Sequence, residues 1–571
     1  MAVIKRLTVS KAFLFCFVIC LVISYGFLYF FNSDFDSSFD PKNLLGGDGF
    51  YYYQYLRELH LGFLNYLEGN TIEGSIFTDN KYFIGVALLQ LPFFIVADII
   101  DFLLGNLGYA TPLKMVFSFL GSVFYASLGL HFVSKFLATF TQNKWHIYLT
   151  QSFLFAATPL LYYTAFEPLM SHVYSFSLIS IFIFQIHQFK ISNANIRLIF
   201  AALILGFITL LRPINIIIVF AIPFILGSYD ALIQFVKKLI AKPKQLALYA
   251  VIFNAVILIQ LLFYKYHYGK WFYYSYQNEG FNFLNPNFIP FLFSIKKGLF
   301  IYTPILLIAF LGLSFSKKLG TYQKITGLGF FVFLFYLLSS WWCWHYSGSF
   351  GQRPMVDFLG VLALPLLIVV DGLKGKKQYF ILTICTLFLL LELAQTYQYK
   401  KYIIPPQGLT WKRYKQVFLK FNSIYRWLDF ETEKPIDEEE YNLVSNKEFL
   451  NQELIHFKDS YTPKFILNKQ VLKEADIILV EGIFEGTFAS TKSSVVFDLQ
   501  KNGNNFWSSK RVLEDLYETH KPQNFSFQYQ IPKYESTFKQ LEIYFLNSNK
   551  KIDSLKIETC SVKVFSKKPK I

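Results

Sequence analysis

The chain has 571 residues, of which 54% are hydrophobic, 20% aromatic and only 16% charged, with a mean hydropathy of +0.37. Soluble globular domains carry about a quarter charged residues, so this composition excludes an ordinary soluble enzyme and indicates a membrane protein. The net charge of +16 does not indicate nucleic acid, because the lysines fall in short clusters between apolar runs rather than on one domain.

The first apolar run, 11–31, follows a basic start as in a signal peptide. It is too long for one and no small-residue cleavage site follows, so it reads as a retained span. Further apolar runs lie near 113–137, 146–165, 173–189, 197–211, 214–228, 246–264, 299–316, 325–341, 356–371 and 378–396. A bilayer crossing takes about 20 residues, which predicts an all-α polytopic bundle of about 11 transmembrane helices. The five cysteines, Cys16, Cys20, Cys343, Cys385 and Cys560, show neither a disulfide framework nor zinc-ligand spacing.

One run, 82–105, is ambiguous because it contains Pro92, Asp98 and Asp101, and carboxylates are costly at mid-bilayer. If it does not cross, Lys5 and Arg6 share one side with Lys135, Lys144, Lys190, Arg197 and the later basic loops up to Lys374–Lys377. That gives a consistent cytoplasmic face. If it does cross, the later loops disagree with the N-terminus. It therefore reads as an interfacial or re-entrant helix. The stretch 229–245 reads as a cytoplasmic amphipathic segment, either a basic surface anchor or a lipid-recognition element.

The character changes after about residue 400. Residues 1–400 read as the transmembrane domain, 401–440 as a linker containing "EKPIDEEE" (433–440), and 441–571 as a β-rich domain. Short apolar or alternating runs such as "SVVFDLQ" and "LEIYFLN", separated by "KNGNN" and "NSNKK", predict an antiparallel β-sandwich. With the N-terminus inside, this domain is extracytoplasmic.

The same topology gathers unusual polar residues on the outer side. Asp48 lies in "GGDGFYYY", Glu167 and His172 in "FEPLMSHVYSF", Arg212 in "LRPIN" and Lys296 and Lys297 in "SIKKGLFIYTP". Trp344, His345, Arg353 and Asp357 lie in "WWCWHYSGSFGQRPMVD". Each has a plain alternative: a helix cap for Asp48, dipole stabilisation for Glu167, packing for His172, snorkelling for Arg212, headgroup binding for Lys296 and Lys297, an aromatic belt for the tryptophans, and an Arg353–Asp357 pair. Taken together, carboxylates suit general-base work on a hydroxyl, cations suit a phosphate leaving group, and aromatic rings suit sugar faces. A divalent metal shared by the two carboxylates and His172 stays open; the sequence establishes no cofactor.

The motifs above, with "NKYFIGVALLQLPFF", occur in an order that resembles the bacterial integral-membrane proteins related to the GT-C superfamily of glycosyltransferases, over roughly residues 10–400. That group includes protein O-mannosyltransferases and aminoarabinose transferase. The resemblance implies a polyprenyl-phosphate-linked sugar donor, an active site facing away from the cytoplasm and an inverting transfer to a hydroxyl on a glycan, lipid or protein acceptor. By resemblance Asp48 is the catalytic acid of the first outer loop and Glu167 that of the second. The phosphate-binding candidates are Lys81, Arg212, Lys296, Lys297 and Arg353, and Tyr52, His172, Trp344, His345 and Asp357 are substrate contacts. Relatives carry a lysine before two prolines where this chain has "NKYFIGVALLQLP", so Lys81 is a stand-in. The Asp48 turn also lacks the second acid of the mannosyltransferases. The glycine turn is expected to let Asp48 project free of the helix. Residue bias and resemblance imply a bacterial cytoplasmic membrane. Two other readings stand beside this one. A transporter or flippase of lipid-linked saccharides predicts charges at mid-membrane, and a non-enzymatic scaffold predicts a silent Asp48→Asn.

Overall fold

The structure, a computed structural model, describes residues 11–32, 48–67, 80–106, 108, 110–276, 279–372, 374–406, 409–421, 441–456, 464–486, 493–501, 504–512, 523–530, 540–547 and 554–568. Lys5, Arg6, the two glycines before Asp48 and the 433–440 acidic run lie outside the described residues. The chain divides into two compact units, Met1–Tyr397 and Gln398–Ile571.

The first unit is helical. In chain order come α1 (Lys11–Asn32), α2 (Asp48–Leu67), α3 (Gly85–Leu103), α4 (Pro112–Leu137), α5 (Lys144–Ala156), α6 (Leu160–Ala165), α7 (Ser171–Ser192) and α8 (Asn195–Leu211). A 3₁₀ segment, Pro213–Ala221, leads into α9 (Ile222–Leu226), α10 (Tyr229–Ile240) and α11 (Pro243–Tyr268). Then follow α12 (Phe288–Phe293), α13 (Leu299–Tyr302), α14 (Ile305–Phe315), α15 (Thr321–Ser340), α16 (Leu359–Gly372) and α17 (Lys376–Lys400). Among the described residues, seven helical stretches are long and apolar enough to cross a membrane, and Asn195–Leu211, Pro213–Leu226 and Ile305–Phe315 are shorter apolar helices. At 1.5 Å per residue, the 26-residue α4 is about 39 Å long, enough to span a hydrocarbon core of about 30 Å. The chain is a multi-pass membrane protein.

Glycines permit close approach of the helices. A Cβ on Gly129 of α4 would meet the Phe176 ring of α7 at 2.6 Å, and one on Gly312 of α14 would clash with the Pro365 carbonyl of α16. Contacts also sort the helix ends into two sides. Thr139, just past α4, bonds His187 near the end of α7 at 3.0 Å. Thr141, His146 and Lys318 converge on Asp371 at the end of α16. The start of α4, the start of α7 and the end of α8 lie on the opposite side.

This geometry bears on α3, which is itself long and apolar enough to cross. Its first residue, Gly85, packs so tightly on the end of α8 that a Cβ would lie 2.6 Å from the Leu210 carbonyl oxygen. Its last turn sits against the start of α4, where the buried Lys114 ammonium pairs with Asp98 at 2.9 Å and Asp101 at 3.4 Å. Both ends of α3 therefore meet helix ends of the same side, the arrangement that an interfacial reading of 82–105 expects. The carboxylates that made 82–105 ambiguous are paired with Lys114, and His60 Nδ1 of α2 lies 2.7 Å from Asp98.

The second unit carries α18 (Trp411–Val417), α19 (Lys469–Glu474) and eight strands: β1 (Tyr441–His456), β2 (Phe465–Asn468), β3 (Ile477–Gly486), β4 (Ser493–Lys501), β5 (Asn504–Val512), β6 (Gln523–Gln530), β7 (Gln540–Asn547) and β8 (Ser554–Lys567). They form two antiparallel four-stranded sheets of order β1-β8-β3-β6 and β2-β7-β4-β5. Alternate residues point inward. Ile478, Val480, Phe497, Ile543, Phe545 and Val562 are among those that share one core.

Candidate active site

On the side where α7 and α16 begin, the first unit encloses a cavity of about 410 Å³. Each wall is placed by a local rule of the chain. Asp48 is the first residue of α2, which corrects the expectation that it projects free of the helix. A carboxylate there is favoured by the helix dipole, and the position still points into the cavity. Tyr52, one turn on, shares that face and also lines it.

The segment before α3 is clamped. Asn80 donates to the Tyr51 carbonyl at 2.7 Å and accepts from the Tyr82 N–H at 3.0 Å. Ser275 donates to the Lys81 carbonyl at 2.8 Å. This sets Lys81 and Tyr82 in the wall. Arg212 arrives by a different route. The residue before a proline is pushed from helical to extended geometry. Arg212, ahead of Pro213, ends α8 at φ −152° and ψ 113°, with its side chain at the cavity.

The loop after α15 supplies Trp341, Tyr346 and Arg353. Tyr346 and Ser347 are both left-handed, at φ 53° and 54°, which costs of order 1–3 kcal/mol each for non-glycine residues. The Tyr346 hydroxyl ties the loop back to the Leu338 carbonyl at 3.2 Å. Trp341 is bridged to Phe281, and their rings meet at 4.8 Å.

The charges interlock. Arg353 pairs with Asp48 at 2.6 Å, not with Asp357 as its plain alternative reading had it. Asp357 is fully buried and lies behind the wall. Its carboxylate accepts from Arg212 at 3.1 Å and from Asn215 at 2.8 Å, with His172 Nδ1 at 2.7 Å. It therefore orients two cavity residues without facing the cavity itself. Lys81 pairs with Glu279 at 2.7 Å and sits 5.6 Å from the Tyr82 ring and 5.9 Å from the Tyr276 ring. The wall thus holds three fixed cations against two carboxylates, framed by aromatic rings.

Burial by itself would push the Asp48 carboxyl up, but Arg353, a hydrogen bond from the Tyr82 hydroxyl and the Lys81 charge hold it below its ordinary value. Burial and the Asp48 charge push the Tyr82 phenol well up, so it remains a donor to Asp48. Burial pushes Tyr276 up to about 12, against the pull of Arg212.

Of the residues singled out in the sequence, Asp48, Tyr52, Lys81, His172, Arg212 and Arg353 come together here. The others do not line it. Glu167 accepts from Tyr162 at 2.9 Å. Lys297 is buried and donates to the Ser349 carbonyl, and burial pushes its ammonium down to about 7 despite the nearby Glu167 charge. Lys296 is exposed. The backbone carbonyls of Trp344 and His345 accept from Gln352 at 3.4 Å and Ser349 at 3.3 Å, and neither residue lines the cavity. Tyr82, Tyr276, Glu279 and Tyr346 line it but were not singled out. The signal available for three of them was the aromatic density of "NKYF" and "WFYYSYQNEG". Among the described residues, no group of three or more His, Cys, Asp or Glu is placed to hold a metal ion.

No family model matches the chain, and no curated protein matches it. Solved structures that resemble it include two membrane-enzyme structures. One is ArnT from Cupriavidus metallidurans bound to undecaprenyl phosphate, at 12% identity and a TM-score of 0.44 over 70% of this chain and 67% of that one. The other is arabinosyltransferase EmbB from Mycobacterium smegmatis, at 8% and 0.37 over 96% of this chain and 64% of that one. The chemistry of the site rests on this chain's own residues.

Proposed function

We propose that the chain is a membrane glycosyltransferase that moves a sugar from a polyprenyl-phosphate donor to a hydroxyl acceptor. The observation that carries this reading is the convergence, in one aromatic-walled cavity, of Asp48 with Lys81, Arg212 and Arg353, brought from four separate motifs. A phosphate needs fixed cations, arginine binding it bidentately. A sugar needs flat aromatic faces, and an attacking hydroxyl needs a base.

The Asp48–Arg353 pair suggests an order of events. With its carboxyl held low, Asp48 is a weak base while Arg353 is its partner. A donor phosphate competes for the guanidinium, and Asp48 is then released to take the proton from the acceptor hydroxyl. The hydroxyl oxygen bonds the anomeric carbon as the bond from that carbon to the phosphate oxygen breaks, and the phosphate leaves against Lys81, Arg212 and Arg353. A single displacement inverts the anomeric centre. His172 and Arg212 are positioned by Asp357.

The cavity side is read as outward. Lys144, Lys190, Arg197, Lys237, Lys242, Lys317 and Lys376 belong to the opposite ends of the helices, and an excess of basic residues marks cytoplasmic loops. We read the protein as one of a bacterial cytoplasmic membrane, with a lipid-borne donor reaching the cavity from the bilayer. The β-rich unit is read as extracytoplasmic, with the domain limits and linker expected from the sequence.

Intrinsic fluorescence tests donor binding, since Trp341 lines the cavity. Titrating undecaprenyl phosphate into the purified chain should change the emission saturably in wild type. The change should be absent in Trp341→Phe, and Arg353→Met should weaken affinity at least tenfold. An unchanged affinity in Arg353→Met would overturn the phosphate assignment.

A further inference from the structure

On the side opposite the cavity, the turn between α7 and α8 meets α10 and the first turns of α11 around a second hollow of about 270 Å³. Its floor is apolar, from Phe189, Leu198 and Leu239, and its rim is polar, from Asn193, Lys238, Lys242 and Tyr249. We propose that this hollow binds the phosphate headgroup of an anionic phospholipid.

Several independent features support a built site. The α7–α8 turn depends on Asn193 at φ 54°, a left-handed position that asparagine tolerates. The Asn193 side chain accepts a hydrogen bond from Lys238 of α10, which leaves the ammonium two further donors. Helix α10 is held in place by the Phe189–Phe235 ring contact at 5.7 Å. The α7 end is held by Lys190, which donates to the Leu226 carbonyl at 2.6 Å.

The donors then accumulate. Asn195 opens α8 at the hollow, and Ala194 before it offers no side chain to cap the first N–H groups, which an anion can satisfy. Among the described residues, the enclosed Tyr249 hydroxyl has no hydrogen-bond partner. An enclosed polar group costs free energy until a partner arrives. Among the described residues, no carboxylate pairs with Lys238, Lys242 or Arg197.

The lipid source follows from what flanks the hollow. The next residues along α8 and α11, Ile196, Phe200, Leu248 and Val251, are large, apolar and exposed, on helices read as crossing the bilayer. Acyl chains would run along them. The far face of α10 exposes Val236 and Ile240, as in a helix lying in the membrane interface. A basic site near the cytoplasmic surface suits an anionic headgroup.

Native mass spectrometry of the full chain, extracted from phosphatidylcholine nanodiscs doped with phosphatidylglycerol, tests this. Wild type should retain phosphatidylglycerol in preference to phosphatidylcholine, and Lys238→Ala/Lys242→Ala should retain at least tenfold less. Tyr249→Phe, which removes only the enclosed hydroxyl, should retain about threefold less. Lys376→Ala/Lys377→Ala, an equal charge loss on the same side, should behave as wild type. Equal losses in the two double variants would reduce the effect to bulk charge and overturn the site, as would full retention in Lys238→Ala/Lys242→Ala. A parallel arm adds inorganic phosphate at millimolar concentration. Complete displacement of the lipid by phosphate would assign the site to the free anion and overturn the lipid reading.

Discussion

The Asp48–Arg353 pair can be tested by a double-mutant cycle in stability. Two unit charges about 4 Å apart attract by about 4 kcal/mol at an effective dielectric constant of about 20. The Asp48 side chain is 24% exposed and that of Arg353 16%, so solvent screening reduces this to about 2 kcal/mol. Arg353→Met leaves Asp48 beside Tyr82 and the aromatic wall without its counter-ion, and it should destabilise by more than Asp48→Asn does. The double variant should recover most of the difference, because no charge is then stranded. The assay is unfolding of the four purified forms in mixed micelles with increasing sodium dodecyl sulfate, with coupling energy as the readout. The depressed Asp48 pKa means that the pair stabilises above the ordinary carboxylate range and loses its contribution as pH falls through the folded value. The coupling should therefore shrink in acid below about pH 4. Additive single effects, with coupling under about 0.5 kcal/mol at neutral pH, would refute the pairing.

Three further outcomes follow from individual contacts. Glu279→Gln should change stability by under about 1 kcal/mol, because the Lys81–Glu279 pair is 35% and 25% exposed. It should nonetheless tighten undecaprenyl phosphate binding in the fluorescence titration, since Lys81 is released. Gly85→Val should cost about 1–3 kcal/mol or displace α3, because the Leu210 carbonyl stands 2.6 Å from the added Cβ; micellar unfolding measures it. Lys297, pushed down to about 7, is charged in the unfolded chain but largely neutral in the folded one above that pH. Stability from this group should therefore rise between about pH 7 and pH 10. The rise should vanish in Lys297→Met, as read by melting temperature across a pH series.

Some of this architecture is legible in the sequence and some is not, for physical reasons. Apolar runs of spanning length mark most long helices, and the "RP" step announces that α8 ends at Arg212 with its side chain freed. The strands β3, β4, β6, β7 and β8 fall on apolar or alternating runs. Strand β1 does not, because register shifts between Leu443 and Ser445 and between Glu448 and Leu450 break the two-residue period that a sequence reading follows. The partners of charges are the least legible part. Arg353 has Asp357 four residues away, yet it pairs with Asp48, while Lys81 pairs with Glu279, 198 positions along the chain. Only the packing of α2, α3 and two loops decides these pairings. Trp344 and His345 share a motif with Trp341, but the left-handed turn at Tyr346 and Ser347 brings Tyr346 and Arg353 to the cavity and leaves the other two out.

The central claim is that the cavity transfers a sugar from a lipid phosphate with Asp48 as base. It is tested most directly by mass spectrometry of lipid-linked and surface glycans in cells lacking the chain, complemented with wild type or Asp48→Asn at equal membrane abundance. The account predicts that Asp48→Asn reproduces the deletion: one sugar is lost from the surface glycans and its polyprenyl-phosphate donor accumulates. A wild-type glycan profile in the Asp48→Asn cells, beside a changed profile in the deletion, would contradict it.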